Sequence, residues 1–329
     1  MSLFQKLPKI ELHQHLDCSL SYAVVLKIDP QISAAEYREK FIAPPKCNNL
    51  ADFLSRAPQG IRLMQTERNL QLVTFDLFEQ LRQDNIIYAE IRFAPLLHTE
   101  LGLTPQRVVE VIEKAVSQAG RETGIEARLI LSTLRNYSEQ QSLETVQLAR
   151  QFQNSRVAGF DIAGDEAGYP IDAHVRAFEY AARHGIPCSA HAGEARGPES
   201  VRETLDRFHP ARLGHGVRSI EDPDLLVELR EKGIHLEVCP TCNIQTDVFD
   251  RYEDHPVDRL YREGISLGIN TDTRTITNIT LTREYQKLHD VFGWTEEHFL
   301  QCNRNALKAA FISESLKSLL RERLESGYR

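Results

Sequence analysis

The chain has 329 residues, 41% hydrophobic and 26% charged, proportions that give a globular protein a full core and exclude disorder, collagen and an extended coiled coil. Its 39 basic and 47 acidic side chains leave a formal net charge of −8, which excludes a broad electrostatic grip on nucleic acid. The 6 scattered cysteines make no disulfide scaffold. With no leader-like apolar run at the start and none of membrane length elsewhere, a cytoplasmic protein without nucleic-acid or membrane partners is expected.

The first predicted strand is 10–16, in which apolar Ile10, Leu12 and Leu16 bracket His13 and His15. Alternate residues of a strand share a face, about 7 Å apart at the backbone, a spacing that suits two ligands of one metal ion. Residues 20–85 read as helical, at 49–54 and over 67–82, and are predicted to be an insertion covering a barrel mouth. Phe53, Phe75 and Phe78 are expected in its core. From residue 86 the pattern alternates. Strands are predicted at 86–93, 127–133, 157–163, 187–192, 212–216, 235–238 and 266–272, with helices at 105–119, 139–152, 171–184 and 222–231 between them. Pro105 and Pro223 stand where a helix start tolerates a missing N–H. Eight strands in such an order predict a (β/α)8 TIM barrel. Residues 295–326 are expected to be extra C-terminal helices on its outside. No repeat, low-complexity tract or linker divides the chain, so 1–329 is expected to be a single domain.

Active sites of such barrels collect at the C-terminal ends of the strands. That rule selects His13 and His15 on the first strand, His191 on the fifth, His215 on the sixth and Asp272 on the eighth. Three histidines and a carboxylate suit Zn²⁺ with a position left for water. The Cys239-x-x-Cys242 pair has no second pair and reads as a structural turn. Zinc deaminases built on H-x-E with P-C-x-x-C are excluded, because here the spacing is His191-x-x-Glu194 and Val238 precedes Cys239.

Six motifs in order complete the picture: Pro8 to Asp17 around His13-Gln14-His15, Gly159 to Glu166, His191-Ala192-Gly193-Glu194, Leu213-Gly214-His215-Gly216, Cys239 to Asn243, and Asn270-Thr271-Asp272. Together they resemble the adenosine deaminase family of the amidohydrolase superfamily. The resemblance implies one Zn²⁺ held by His13, His15, His191 and Asp272, with its water made acidic. His215 and Asp272 would orient and deprotonate that water, and Glu194 would protonate purine N1 while C6 is attacked, giving the 6-oxo purine and ammonia. His15 and Asp17 would lie against the substrate, Asp17 at a ribose hydroxyl, and the Gly164 N–H would meet N3. The implied substrate is adenosine or a related 6-aminopurine nucleoside. Adenine, a 5′-modified adenosine and mere purine binding are the alternatives.

The chain departs from the family pattern at two places. Thr273 stands where a second Asp usually meets N7, and its hydroxyl can still donate there. Cys18 replaces a Gly beside the sugar position. Arg274, next to Thr273, is expected to be solvated unless it pairs with an anionic extension of the substrate.

Overall fold

Eight short strands, most of them buried on both faces, carry the architecture of the computed structural model, which describes residues 3–329. They are β1 (Lys9–His15), β2 (Ile86–Phe93), β3 (Glu126–Leu134), β4 (Val157–Ala163), β5 (Ser189–Ala192), β6 (Arg212–His215), β7 (His235–Val238) and β8 (Leu267–Ile269). All neighbours are parallel and pair in chain order, β1 to β4 in one sheet and β5 to β8 in the other. Single bridges join the two sheets at both seams, Phe160 with Cys188 and Gln14 with Asp272. The His15 N–H donates to the Asp272 carbonyl at 2.9 Å, and the Asp272 N–H to that of His13 at 3.1 Å. The strands therefore follow one another around a ring, with β1 beside β8.

The observed bounds of β2, β4 and β7 are those predicted, and β8 departs furthest from expectation, spanning only Leu267–Ile269. It ends at Ile269 because Thr271 turns its N–H to the Glu11 carboxylate at 2.9 Å, and Asp272 takes φ +65°. Thr271 leaves the ladder, and Asp272 keeps only its bridge to β1. Helices begin where capping chemistry places them. Thr66 accepts from the Asn69 N–H at the head of Glu67–Gln83, Thr104 precedes Pro105–Thr123, and Asp222 precedes Pro223–Lys232. The helix expected over 171–184 begins as a tight turn at Asp172–His174 and becomes α-helical only over Val175–Arg183.

The 20–85 insertion divides in two. Its long helix Glu67–Gln83 packs along the flank, against β2 and Pro105–Thr123. The short helices Leu50–Leu54 and Ala57–Ile61 stand over the strand ends and share a cavity with His15 and Asp272. At the other extreme of the chain, Glu296–Ala309 lies against β1, β7 and β8, where Asn303 accepts the Ile10 N–H at 2.7 Å. Among the described residues no helix is long and apolar enough to cross a membrane.

Inside the ring lies a ladder of buried charges. Arg212 pairs with Glu90 and Glu237, and Arg92 with Glu237 and Asp161, at 2.5–3.3 Å, and all five side chains are sealed from solvent. Each charge has an opposite neighbour, which makes its burial tolerable. Two of the carboxylates reach upward to the strand ends.

Candidate active site

The ladder terminates on histidines. Glu237 accepts from or pairs with His13 Nδ1 at 2.8 Å, while His191 Nδ1 faces the Ile162 carbonyl at 2.8 Å and Asp161 at 3.3 Å. With Nδ1 engaged, each ring presents Nε2 to the centre of the mouth. There His15 Nε2 and His191 Nε2 face each other at 3.3 Å, and Asp272 Oδ1 lies 3.4 Å from both His13 Nε2 and His15 Nε2. His13, His15 and His191 bring ring nitrogens within 4.8 Å of one another, as do His13, His215 and the Asp272 carboxylate. Burial pushes the His13, His15 and His215 rings well below the ordinary histidine range, so their lone pairs are free. His13 Nε2 is buried without a hydrogen-bond partner. Neutral imidazoles, a carboxylate and an orphaned nitrogen fit a borderline divalent cation such as Zn²⁺.

Close approach needs Gly214. A Cβ there would lie 2.9 Å from His13 Cε1 and 3.1 Å from the His191 ring. Gly164, by contrast, has room for a Cβ but adopts φ +102°, which side chains other than glycine resist.

Glu194 lies beside this cluster, 3.5 Å from His215 Nε2 and 3.9 Å from Cys242 Sγ. Burial, reinforced by the charges of Asp272 and Glu166, pushes its carboxyl well above the ordinary range. That shift favours the protonated acid over the carboxylate. Its loop is fixed by Glu166, whose carboxylate accepts the backbone N–H groups of residues 193–196 at 2.6–3.0 Å and the Ser200 hydroxyl at 2.6 Å. Asp17, Cys18, Gly164, Glu194, His215 and Thr273 line one cavity of about 330 Å³. Burial raises Asp17 to about 6. The Thr273 hydroxyl is buried there with no partner.

Known proteins match along the whole chain. The adenosine deaminase family model matches residues 8–326. An adenosine deaminase of Clostridium perfringens is 35% identical over 322 residues, covering 96% of this chain and 97% of its own. The chain belongs to the adenosine deaminase family. Among solved structures, the adenine deaminase of Arthrobacter aurescens is 25% identical with a TM-score of 0.89, over 97% of this chain and 98% of that one. The N6-methyl-AMP deaminase of Arabidopsis thaliana is 24% identical and shares the fold, with a TM-score of 0.86 over 98% and 97% of the two chains. This adenosine deaminase family member is thus a (β/α)8-barrel enzyme that deaminates adenosine-like substrates.

Against the family pattern, Arg274 corrects an expectation. It is 4% exposed, not solvated, and lines no part of the cavity. Its guanidinium pairs with Glu11 at 2.6 Å and Asp84 at 3.1 Å and donates to Gln14 Oε1 at 2.8 Å. Glu11 in turn accepts from Thr271, so Arg274 ties together the seam that carries Asp272 and Thr273. Cys242 stands nearer the chemistry than a structural turn implies. Glu166, Glu237, Asp161 and Asn243 act on site residues but were not singled out by sequence, although Asp161, Glu166 and Asn243 lie within the six motifs.

Proposed function

We propose that this enzyme is a zinc-dependent hydrolytic deaminase of adenosine or a closely related neutral 6-aminopurine nucleoside. The observation that carries the reading is the geometry of Glu194, buried 3.5 Å from His215 Nε2 beside a cluster of histidines and a carboxylate, where burial pushes its carboxyl upward. His13, His15, His191 and Asp272 would hold one Zn²⁺, which when bound lowers the pKa of a water toward neutrality. Glu194 delivers its proton to purine N1, making C6 electron-poor. Asp272 takes a proton from the water that attacks C6 and returns it to the departing amine; as ammonia leaves, the remaining hydroxyl proton on C6 returns to Glu194, and the 6-oxo purine remains. The Thr273 hydroxyl donates to N7, and the Gly164 N–H to N3. His15 borders the reacting face, and Asp17 receives a sugar hydroxyl.

Charge supports a neutral substrate. The cavity lining contains Asp17, Asp165, Glu194 and Asp272 but neither Lys nor Arg. A 5′-phosphate would therefore enter unpaired among carboxylates, at ~3 kcal/mol or more, about a hundredfold in kcat/KM. The space beyond the base, walled by Phe53, Leu54, Ala57 and Ile61, suits a sugar. All six cysteines are free thiols, which accords with the reducing cytoplasm we assign.

The test is a deamination panel of adenosine, 2′-deoxyadenosine, adenine, AMP and 5′-deoxyadenosine, with metal analysis of the same sample. The expected result is one zinc per chain and highest kcat/KM for a nucleoside, with AMP lower by about a hundredfold. AMP or adenine as the best substrate, or full activity in metal-free protein, overturns the reading.

A further inference from the structure

Behind His215 runs a hydrogen-bonded chain that starts on the backbone. The Val257 N–H donates to His255 Nδ1 at 3.1 Å. An N–H can only donate, so His255 Nδ1 must be a bare lone pair and the ring's proton must sit on Nε2. His255 Nε2 lies 3.1 Å from Asn243 Oδ1, which accepts that proton and orients the amide. The NH₂ group of Asn243 is then the one that faces His215 Nδ1, at 3.1 Å. His215 Nδ1 must accept in its turn. All three side chains are buried, which leaves no solvent to substitute for a missing partner.

We infer that Asn243 and His255 are positioning residues that lock His215 as the Nε2–H tautomer, so that His215 donates a hydrogen bond into the site and Asp272 alone accepts the proton of the attacking water. The sequence-based expectation gave the deprotonation to both residues. A ring that already carries its proton on Nε2, the nitrogen 3.5 Å from Glu194, has no lone pair to offer there. What it can do is stabilise oxygen as negative charge develops on it. His215 adopts φ +61°, an unusual backbone state that aims the ring into the mouth while Nδ1 reaches Asn243. What the Nε2 proton does in the reaction rests on the deaminase reading above; where it sits does not.

Long-range ¹H–¹⁵N correlation spectra of the zinc-loaded protein, labelled with ¹⁵N-histidine, read the ring proton directly, with His215→Gln and His255→Gln spectra assigning the two rings. The expected pattern is a protonated Nε2 and a bare Nδ1 on both. A proton on His215 Nδ1 overturns the inference. Asn243→Asp then replaces the donor by an acceptor of the same shape and should move the His215 proton to Nδ1. With zinc content retained, kcat should fall about 10²-fold, the usual loss for one donor to a developing oxyanion, with little change in KM. An unchanged or increased kcat in that variant would mean that His215 works through its lone pair, and overturns the inference as well. If the variant fails to fold or to hold zinc, the wild-type ring pattern decides alone. A wild-type protein inactive on every purine would remove the functional reading and leave the tautomer result standing.

Discussion

On the floor of the cavity the site side chains are anchored from behind: His13 by Glu237, His191 by the Ile162 carbonyl, His215 by Asn243, and the Glu194 loop by Glu166. The roof is built otherwise. Leu50, Phe53, Leu54, Ala57 and Ile61 come from two helices of 5 residues each, and they meet the cavity with apolar surface alone. A hydrogen bond has a direction and a length, whereas apolar contact is roughly proportional to area and tolerates small shifts. The contrast divides the labour. On the proposed function, bond-making chemistry would sit where geometry is over-determined, on strand ends held by buried charge, and selection of the substrate's distal half where geometry can adapt.

The largest expected effect falls on the floor. Glu194→Gln keeps shape and zinc but cannot deliver a proton to N1, so kcat should drop ~10²–10⁴-fold with KM little changed. The sign of the pH effect follows from the raised carboxyl pKa. Activity that needs the Glu194 proton is present below that pKa and lost as pH rises through it, and the Gln variant should lack this alkaline decline. A loss of less than tenfold would move the proton donor elsewhere and erase the contrast between floor and roof.

A second effect separates floor chemistry from floor construction. Arg274 lines no part of the site cavity, yet replacing it by Met leaves Glu11 and Asp84 as buried carboxylates deprived of their main partner. Stranding a buried charge costs ~3–5 kcal/mol. Urea unfolding should report a loss of about 3 kcal/mol or more for Arg274→Met and a smaller one for Arg274→Lys. A change below about 0.5 kcal/mol, the usual range for a solvated surface site, would contradict the buried network.

Arg274 also illustrates where sequence reading runs out. The strands were legible because their apolar runs are short, regularly spaced and bounded by turn residues, and the candidate site because His13, His15, His191, His215 and Asp272 all fall at or just past strand ends. Such signals are local. The partners of Arg274, however, lie 263 residues away at Glu11 and 190 away at Asp84 (274 − 84), so only the closed ring reveals that its charge is matched. Likewise the order Asn243, His255, Val257 says nothing about which nitrogen of His215 is bare. That follows from three donor and acceptor assignments made in space. The roof was legible as a helical insertion over the barrel mouth but not by face, because a 5-residue helix carries too little periodicity to announce which side it turns to a cavity.

The smallest expected effect lies at Thr273, where this chain leaves the family pattern and the floor meets the base. Thr273 lines the cavity, and its hydroxyl is buried with no protein partner. A neutral hydrogen bond nets ~0.5–1.5 kcal/mol, about 2- to 13-fold in kcat/KM. Thr273→Ala should lose about that much with adenosine. The wild-type enzyme should lose a similar amount on 7-deazaadenosine, in which N7 becomes C–H. The decisive quantity is the coupling. If the hydroxyl donates to N7, removing both partners costs less than the two single losses summed, by about 0.5 kcal/mol or more, whereas uncoupled sites add within roughly 0.3–0.5 kcal/mol. Strict additivity would mean that the Thr273 hydroxyl does not touch N7. The orphaned donor would then point to a water between them, and the base would be held by Gly164 and Glu194 alone.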